Sequence, residues 1–176
     1  MIRINIVGGN ASEELRRLVS AFSNPQSALK SIGEAMLAFT KGRFRVGQDP
    51  YGTPWPANKP STLRKFLRLN RKNYNRDKSL SERGVAALAR KRPLIGETRS
   101  LSTQLFMVVL GSSVEVRSTM EYAAMMNFGG TKEQFPHLWG DIPARAFFPN
   151  ERNGFPLELS NKTGRMLRAA IMRHRT

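Results

Sequence analysis

His137 and His174 are the only histidines of this 176-residue chain, and cysteine is absent. Metal binding or nucleophilic catalysis would therefore have to be built from two imidazoles, the hydroxyls and the carboxylates. His137 lies in a Pro-flanked loop and His174 in a basic terminal helix, and neither sits at a metal-ligand spacing. Gly8-Gly9 follows an apolar alternation but lacks the later glycines and the Lys-Ser or Lys-Thr pair of a phosphate loop. No serine occupies a Gly-x-Ser-x-Gly elbow, and the 13 carboxylates are scattered. With no nucleophile, base and orienting group to name together, the sequence predicts a protein that is not an enzyme and holds no cofactor or metal.

The residues that do cluster are of another kind. Tyr51-Gly52-Thr53-Pro54-Trp55-Pro56, Glu121 to Gly130 and Ile142 to Phe148 are rich in aromatic, Gly and Pro residues, which fix backbone geometry and supply flat contact surface. That combination suits a part made for assembly. Tyr51, Pro54 and Trp55 form a preformed loop that either contacts a neighbour or buttresses the sheet. Tyr122, Asn127 and Phe128 fall on a short helix, and Arg145 with Phe147 anchors a last strand. For each of these, stabilising the monomer and forming an interface are both open.

The elements that must position these segments read as follows. Met1 to Val7 alternates as a strand, and Ser12 opens a helix through Phe22. Asn24 caps a second helix with Pro25 at its first position; Ala28, Ile32, Ala35, Met36 and Phe39 give it one buried stripe to about Arg45. The proline-rich stretch Gly47 to Pro60 is a rigid loop. Ser61 to Leu69 is helical, residues 70 to 78 have little to bury and read as loop or disorder, and Ser79 with Glu82 predicts a capping box for a helix through about Lys91. Gln104 to Leu110 and Val114 to Thr119 form a hairpin at Gly111-Ser112-Ser113, with alternating exposure in the second strand. Glu121 to Phe128 is a helix stopped by Gly129-Gly130, Thr131 to Asp141 a loop, and Ala146 to Phe148 a short strand. Ser160 to Arg173 is a closing helix burying Met166, Leu167, Ala170 and Ile171. The expected fold is α+β, one domain with a small, mostly antiparallel sheet, packed helices, a long helix in the N-terminal half and a basic helical arm.

Lys and Arg total 29 against 13 Asp and Glu, a net charge of +16. Residues 61 to 99 hold twelve of the basic and three of the acidic side chains, a net of 12 − 3 = +9. Arg64, Lys65, Arg68, Arg71, Lys72 and Arg76 are the centre of this arm, which should seek an anionic partner, either DNA or an acidic protein face. No stretch approaches the roughly 18 apolar residues of a membrane span, and the sequence predicts no membrane partner. The absence of cysteine fits a protein made in a reducing cytosol.

The chain resembles the phage virion morphogenesis family, the tail-completion proteins of Mu-like and related tailed phages. The resemblance rests on ordered patterns between about residues 25 and 175: Gly52-Thr53-Pro54-Trp55-Pro56, a helix bearing Thr62 and Lys65, Tyr122-Ala123 followed by Asn127 to Gly130, and Ile142 to Arg145 with Phe147. Two positions depart from it. A Thr-Gly-x-Leu turn is usual before the hairpin, and this chain has Thr98-Arg99-Ser100-Leu101; Ala146 stands where a second proline is common. The resemblance implies a structural virion protein of the head-tail junction, made in the host cytoplasm and acting when a finished tail joins a DNA-filled head. It implies a homo-oligomeric ring, most often of six copies, that meets tail-tube and head-tail connector or stopper proteins and lets the genome DNA pass. The competing expectation is a sequence-independent nucleic-acid-binding protein, supported by the charge and by Phe66 and Tyr74 interleaved with Arg and Lys.

Overall fold

The computed structural model describes residues 25–96, 98–111 and 113–173. The predicted strand at Met1 to Val7, the helix from Ser12 to Phe22, the Asn24 cap, His174 and the side chains of Ala170 and Ile171 lie outside the described residues.

Helix α1 (Pro25–Val46) is the spine. Its side chains at Ala28, Ile32, Ala35, Met36 and Phe39 are all buried, whereas Lys30, Glu34, Ala38 and Lys41 on the opposite face are exposed. This is the stripe that the three- and four-residue spacing predicts. The helix stops where Gly47 takes φ +74° and its N–H bonds to the Arg43 carbonyl at 2.7 Å, a backbone state that glycine reaches without a Cβ clash.

Strands β1 (Leu105–Leu110) and β2 (Ser113–Ser118) form an antiparallel hairpin in register from Leu105↔Ser118 to Leu110↔Ser113. One face of this hairpin carries Leu105, Met107, Val114 and Val116 against α1. The approach is close at Gly33, where a Cβ would lie 2.5 Å from the Met107 sulfur and 2.6 Å from a Val114 methyl. On the other face, Glu115 is buried instead of following the expected alternating exposure; the Arg117 guanidinium lies across it at 2.7 and 2.8 Å. A paired, hydrogen-bonded carboxylate can be withdrawn from water where a lone one cannot. Helix α6 (Leu157–Arg173) packs along α1, burying Leu159, Thr163 and Leu167. It begins three residues before the predicted Ser160. Arg43 lies over the Phe39 ring at 4.2 Å and 3.6 Å from Glu158, tying the two helices together.

The arm leaves the body at Lys59. Helix α2 (Pro60–Arg68), a 3₁₀ turn (Arg71–Asn73) and helix α3 (Glu82–Arg90) pack on one another. Residues 70 to 78, expected to be loop or disorder, hold a defined turn: Asn73 is buried and donates its amide to the Leu67 carbonyl at 2.9 Å, and Tyr74 and Leu80 pair in an antiparallel bridge. The predicted capping box is displaced. Ser81, not Ser79, accepts from the Gly84 N–H at 3.2 Å, because Leu80 is held in the bridge with Tyr74 and the helix begins only at Glu82.

Two short helices complete the described residues: α4 (Ser100–Thr103) leads into β1, and α5 (Ala123–Phe128) follows β2. The strand expected at Ala146 to Phe148 is absent. The N–H groups of Phe147 and Phe148 both donate to the Asn127 side-chain oxygen at 3.0 Å, so a side chain on α5 takes the place of a strand partner. Helices over one small antiparallel hairpin make the fold α+β.

Candidate assembly surface

The three aromatic and Gly-Pro segments converge on one joint. Asp49 opens an Asx turn, its carboxylate accepting from the N–H groups of Tyr51 and Thr53 at 2.8 Å, the local geometry for which Asp is favoured in turns. The turn aims Trp55 inward. Trp55 is 7% exposed, its ring meets Phe44 edge-on at 5.5 Å, and its Nε1–H donates to the Ala146 carbonyl at 2.8 Å. Phe44, Phe147 and Phe148 continue the aromatic stack at 5.0 and 4.8 Å, and Phe147 is fully buried. Arg145 binds the same loop from the other side: Nε donates to the Pro56 carbonyl and Nη2 to the Ala57 carbonyl, both at 2.9 Å. Burial pushes its guanidinium pKa down from the ordinary value, a desolvation that its two carbonyl acceptors offset only in part. The backbone N–H of Arg145 donates to the Met126 carbonyl at 3.0 Å, so α5 is held at the same point.

Asn127, Trp55, Arg145 and Phe147 therefore bind one another's segments within the monomer. Tyr51 is half-buried, its hydroxyl donating to the Gly154 carbonyl at 2.8 Å and accepting from the Asn150 N–H at 3.0 Å. Pro54 is exposed on the rim of the turn. Tyr122 and Phe128 face outward from α5, Phe128 with 63% of its surface in water.

Next to them lies a surface that sequence reading missed. Gly130 and Ile142 pair reciprocally at 2.8 and 2.9 Å, and the Lys132 N–H donates to Asp141 at 2.8 Å, closing residues 131–141 into a loop. Phe135 folds back over Gly130, where a Cβ would lie 3.0 Å from its ring, and His137 meets Phe135 edge-on at 6.1 Å. Trp139 is fully exposed. Its type and its Gly neighbour gave no sign of this, because a loop tryptophan reads as core and surface alike.

On the arm, Arg64, Lys65, Arg68, Arg71, Lys72 and Arg76 are all exposed, and among the described residues none of the six makes an ion pair. The arm's acid Asp77 is committed to its own turn: the Ser79 hydroxyl holds its carboxyl below the ordinary pKa. Between arm and body runs an open cleft of about 370 Å³ with Lys59, Leu94, Tyr122, Met126 and Pro143 among its walls. The Lys59 ammonium bridges it to the Asp141 carbonyl.

No group of three or more His, Cys, Asp or Glu among the described residues is placed to hold a metal, and no helix among them is long and apolar enough to cross a membrane. The molecule is thus a small α+β protein whose motif residues clamp its own segments and leave aromatic and cationic surfaces outside. A family model described as the phage virion morphogenesis family matches residues 8–174, and the chain belongs to that family. No curated protein and no solved structure matches it. Its role lies in phage virion morphogenesis.

Proposed function

We propose that the chain is a ring subunit of the phage head-tail junction, a tail-completion or terminator-type protein with no enzymatic activity. It closes the finished tail, meets tail-tube and connector or stopper proteins, and leaves a channel for the genome DNA. The observation that carries this reading is the family match, which spans 8–174 and so takes in the joint, the exposed loop and the arm together. The surfaces support it. Rigid exposed aromatics such as Phe128 and Trp139 lose little entropy when they are covered, and identical subunits in a ring need head-to-tail contacts of that kind.

The test is the mass of the purified protein by light scattering, alone and with its tail-tube protein, at low and physiological salt. The expected outcome is a closed oligomer of about six copies, formed alone or on the tube. A persistent monomer that ignores the tube and shifts only on adding DNA would replace this reading with sequence-independent nucleic-acid binding, which the six exposed arm cations favour.

A further inference from the structure

Trp139 and Phe128 expose large apolar rings, and Glu121 and Glu133, exposed in the same stretch of chain, make no ion pair among the described residues. Residues 118–144 carry three acidic side chains and one basic one, a locally acidic stretch on a strongly basic chain. The arm has the opposite chemistry. Among the described residues Arg64, Lys65, Arg68, Arg71, Lys72 and Arg76 make no ion pair, and on the same arm Leu69 and Val85 are 58% and 56% exposed. Each surface thus displays what the other lacks, and the fold of one chain does not join them, although Lys59 and Asp141 bring their bases together.

We infer that the 131–141 loop of one subunit seats on the basic arm of a second copy. The inference deepens the ring reading above and rests on it. Trp139 and Phe128 cover Leu69 and Val85, and Arg68 and Arg71 stack on the aromatic faces or pair with Glu121 and Glu133. Aromatic rings and arginines at the centre of a contact are the side chains that most often dominate binding energy. Because the two surfaces differ, the contact can repeat head to tail, and when it does so one way only it produces a closed ring or an open chain; a reciprocal exchange would instead close a two-fold pair, and a wild-type dimer would exclude the ring. Both surfaces are fixed before binding. The loop is closed by the Gly130–Ile142 pair, and the arm is braced by Asn73 and by the contact of Gly84 with the Asn73 carbonyl.

Two variants, each defective in one surface, test this. The first carries Trp139→Ala with Glu133→Arg; the second carries Arg68→Glu, Arg71→Glu and Lys72→Glu. All five positions are exposed, so both variants should keep the wild-type circular dichroism and melting temperature. Each alone is expected to need at least about a tenfold higher concentration to assemble than wild type. Mixed, they should form a 1:1 pair and stop, since one intact loop and one intact arm remain, and the emission of Trp139 from the second variant should shift to the blue. If wild type forms a ring and either variant forms it equally well, the loop-to-arm contact is overturned and the ring reading stands. A mixture that stays monomeric where wild type assembles overturns the contact as well. Wild type that remains monomeric at every concentration, with and without tube protein, overturns both. An arm variant that assembles normally but loses retention of duplex DNA overturns the contact and assigns the arm to phosphate.

Discussion

Asn127 is a single side chain that substitutes for a strand. Its oxygen accepts from both Phe147 and Phe148 in a buried setting, so Asn127→Ala leaves two N–H groups without acceptors, each costing roughly 1 to 3 kcal/mol. Denaturant unfolding of that variant should show a loss of about 2 to 6 kcal/mol. Trp55→Ala removes a ring packed on Phe44 and should cost about 3 to 5 kcal/mol in the same experiment; a loss under about 1 kcal/mol would mean that Trp55 serves a neighbour instead of its own core. Arg99 works in the opposite sense. It occupies the left-handed region at φ +53°, the conformation the glycine of a Thr-Gly-x-Leu turn would take without cost. Left-handed backbone costs an L-residue roughly 1 to 2 kcal/mol, and glycine returns about half of that gain in lost chain entropy. Arg99→Gly should therefore stabilise the protein by about 0.5 to 1 kcal/mol, read as a higher urea midpoint at unchanged slope.

Among the elements, those with a strong period were legible in the sequence. Helix α1 has its stripe and its Pro start, and the hairpin has its β-branched runs, so local composition and tertiary packing agree there. What could not be read was fixed by side chains distant in sequence. The extended 146–148 segment has strand composition, but the N–H groups of Phe147 and Phe148 go to Asn127; the cap of α3 falls on Ser81 because the bridge of Leu80 with Tyr74 delays the helix to Glu82. Of the candidate interface residues, their proximity was legible as three segments of one object, and their division into buried clamps and exposed rings was not, since aromatics serve both. The arm's order also depends on a contact invisible to periodicity. A Cβ on Gly84 would lie 2.2 Å from the Asn73 carbonyl oxygen, so Gly84→Ala must push α3 off the 3₁₀ turn. Amide exchange should then quicken across Arg71–Asn73 and Glu82–Arg90 while α1 and the hairpin keep their protection; uniform loss across the chain would show that arm and body unfold as one.

At the scale of the whole molecule, a net charge of +16 governs how subunits meet anything in solution. The monomer should retain duplex DNA at low salt and release it steeply between about 50 and 200 mM. Reversing Arg64, Lys65, Arg68, Arg71 and Lys72 should flatten that salt dependence, whereas reversing as many cations on α1 and α6 should leave more of it in place; filter binding at a series of salt concentrations distinguishes the two. The arm's charge is separable from the rest for a structural reason. Helices α2 and α3 and the turn between them pack chiefly on one another, and the apolar core around Phe44, Trp55 and Phe147 draws on none of their exposed positions. A lineage can therefore rewrite the outside of the arm, exchanging cations for other side chains as its assembly partners change, while the body keeps the sequence that folds it; divergence between related proteins should collect on residues 61–90 and spare the joint.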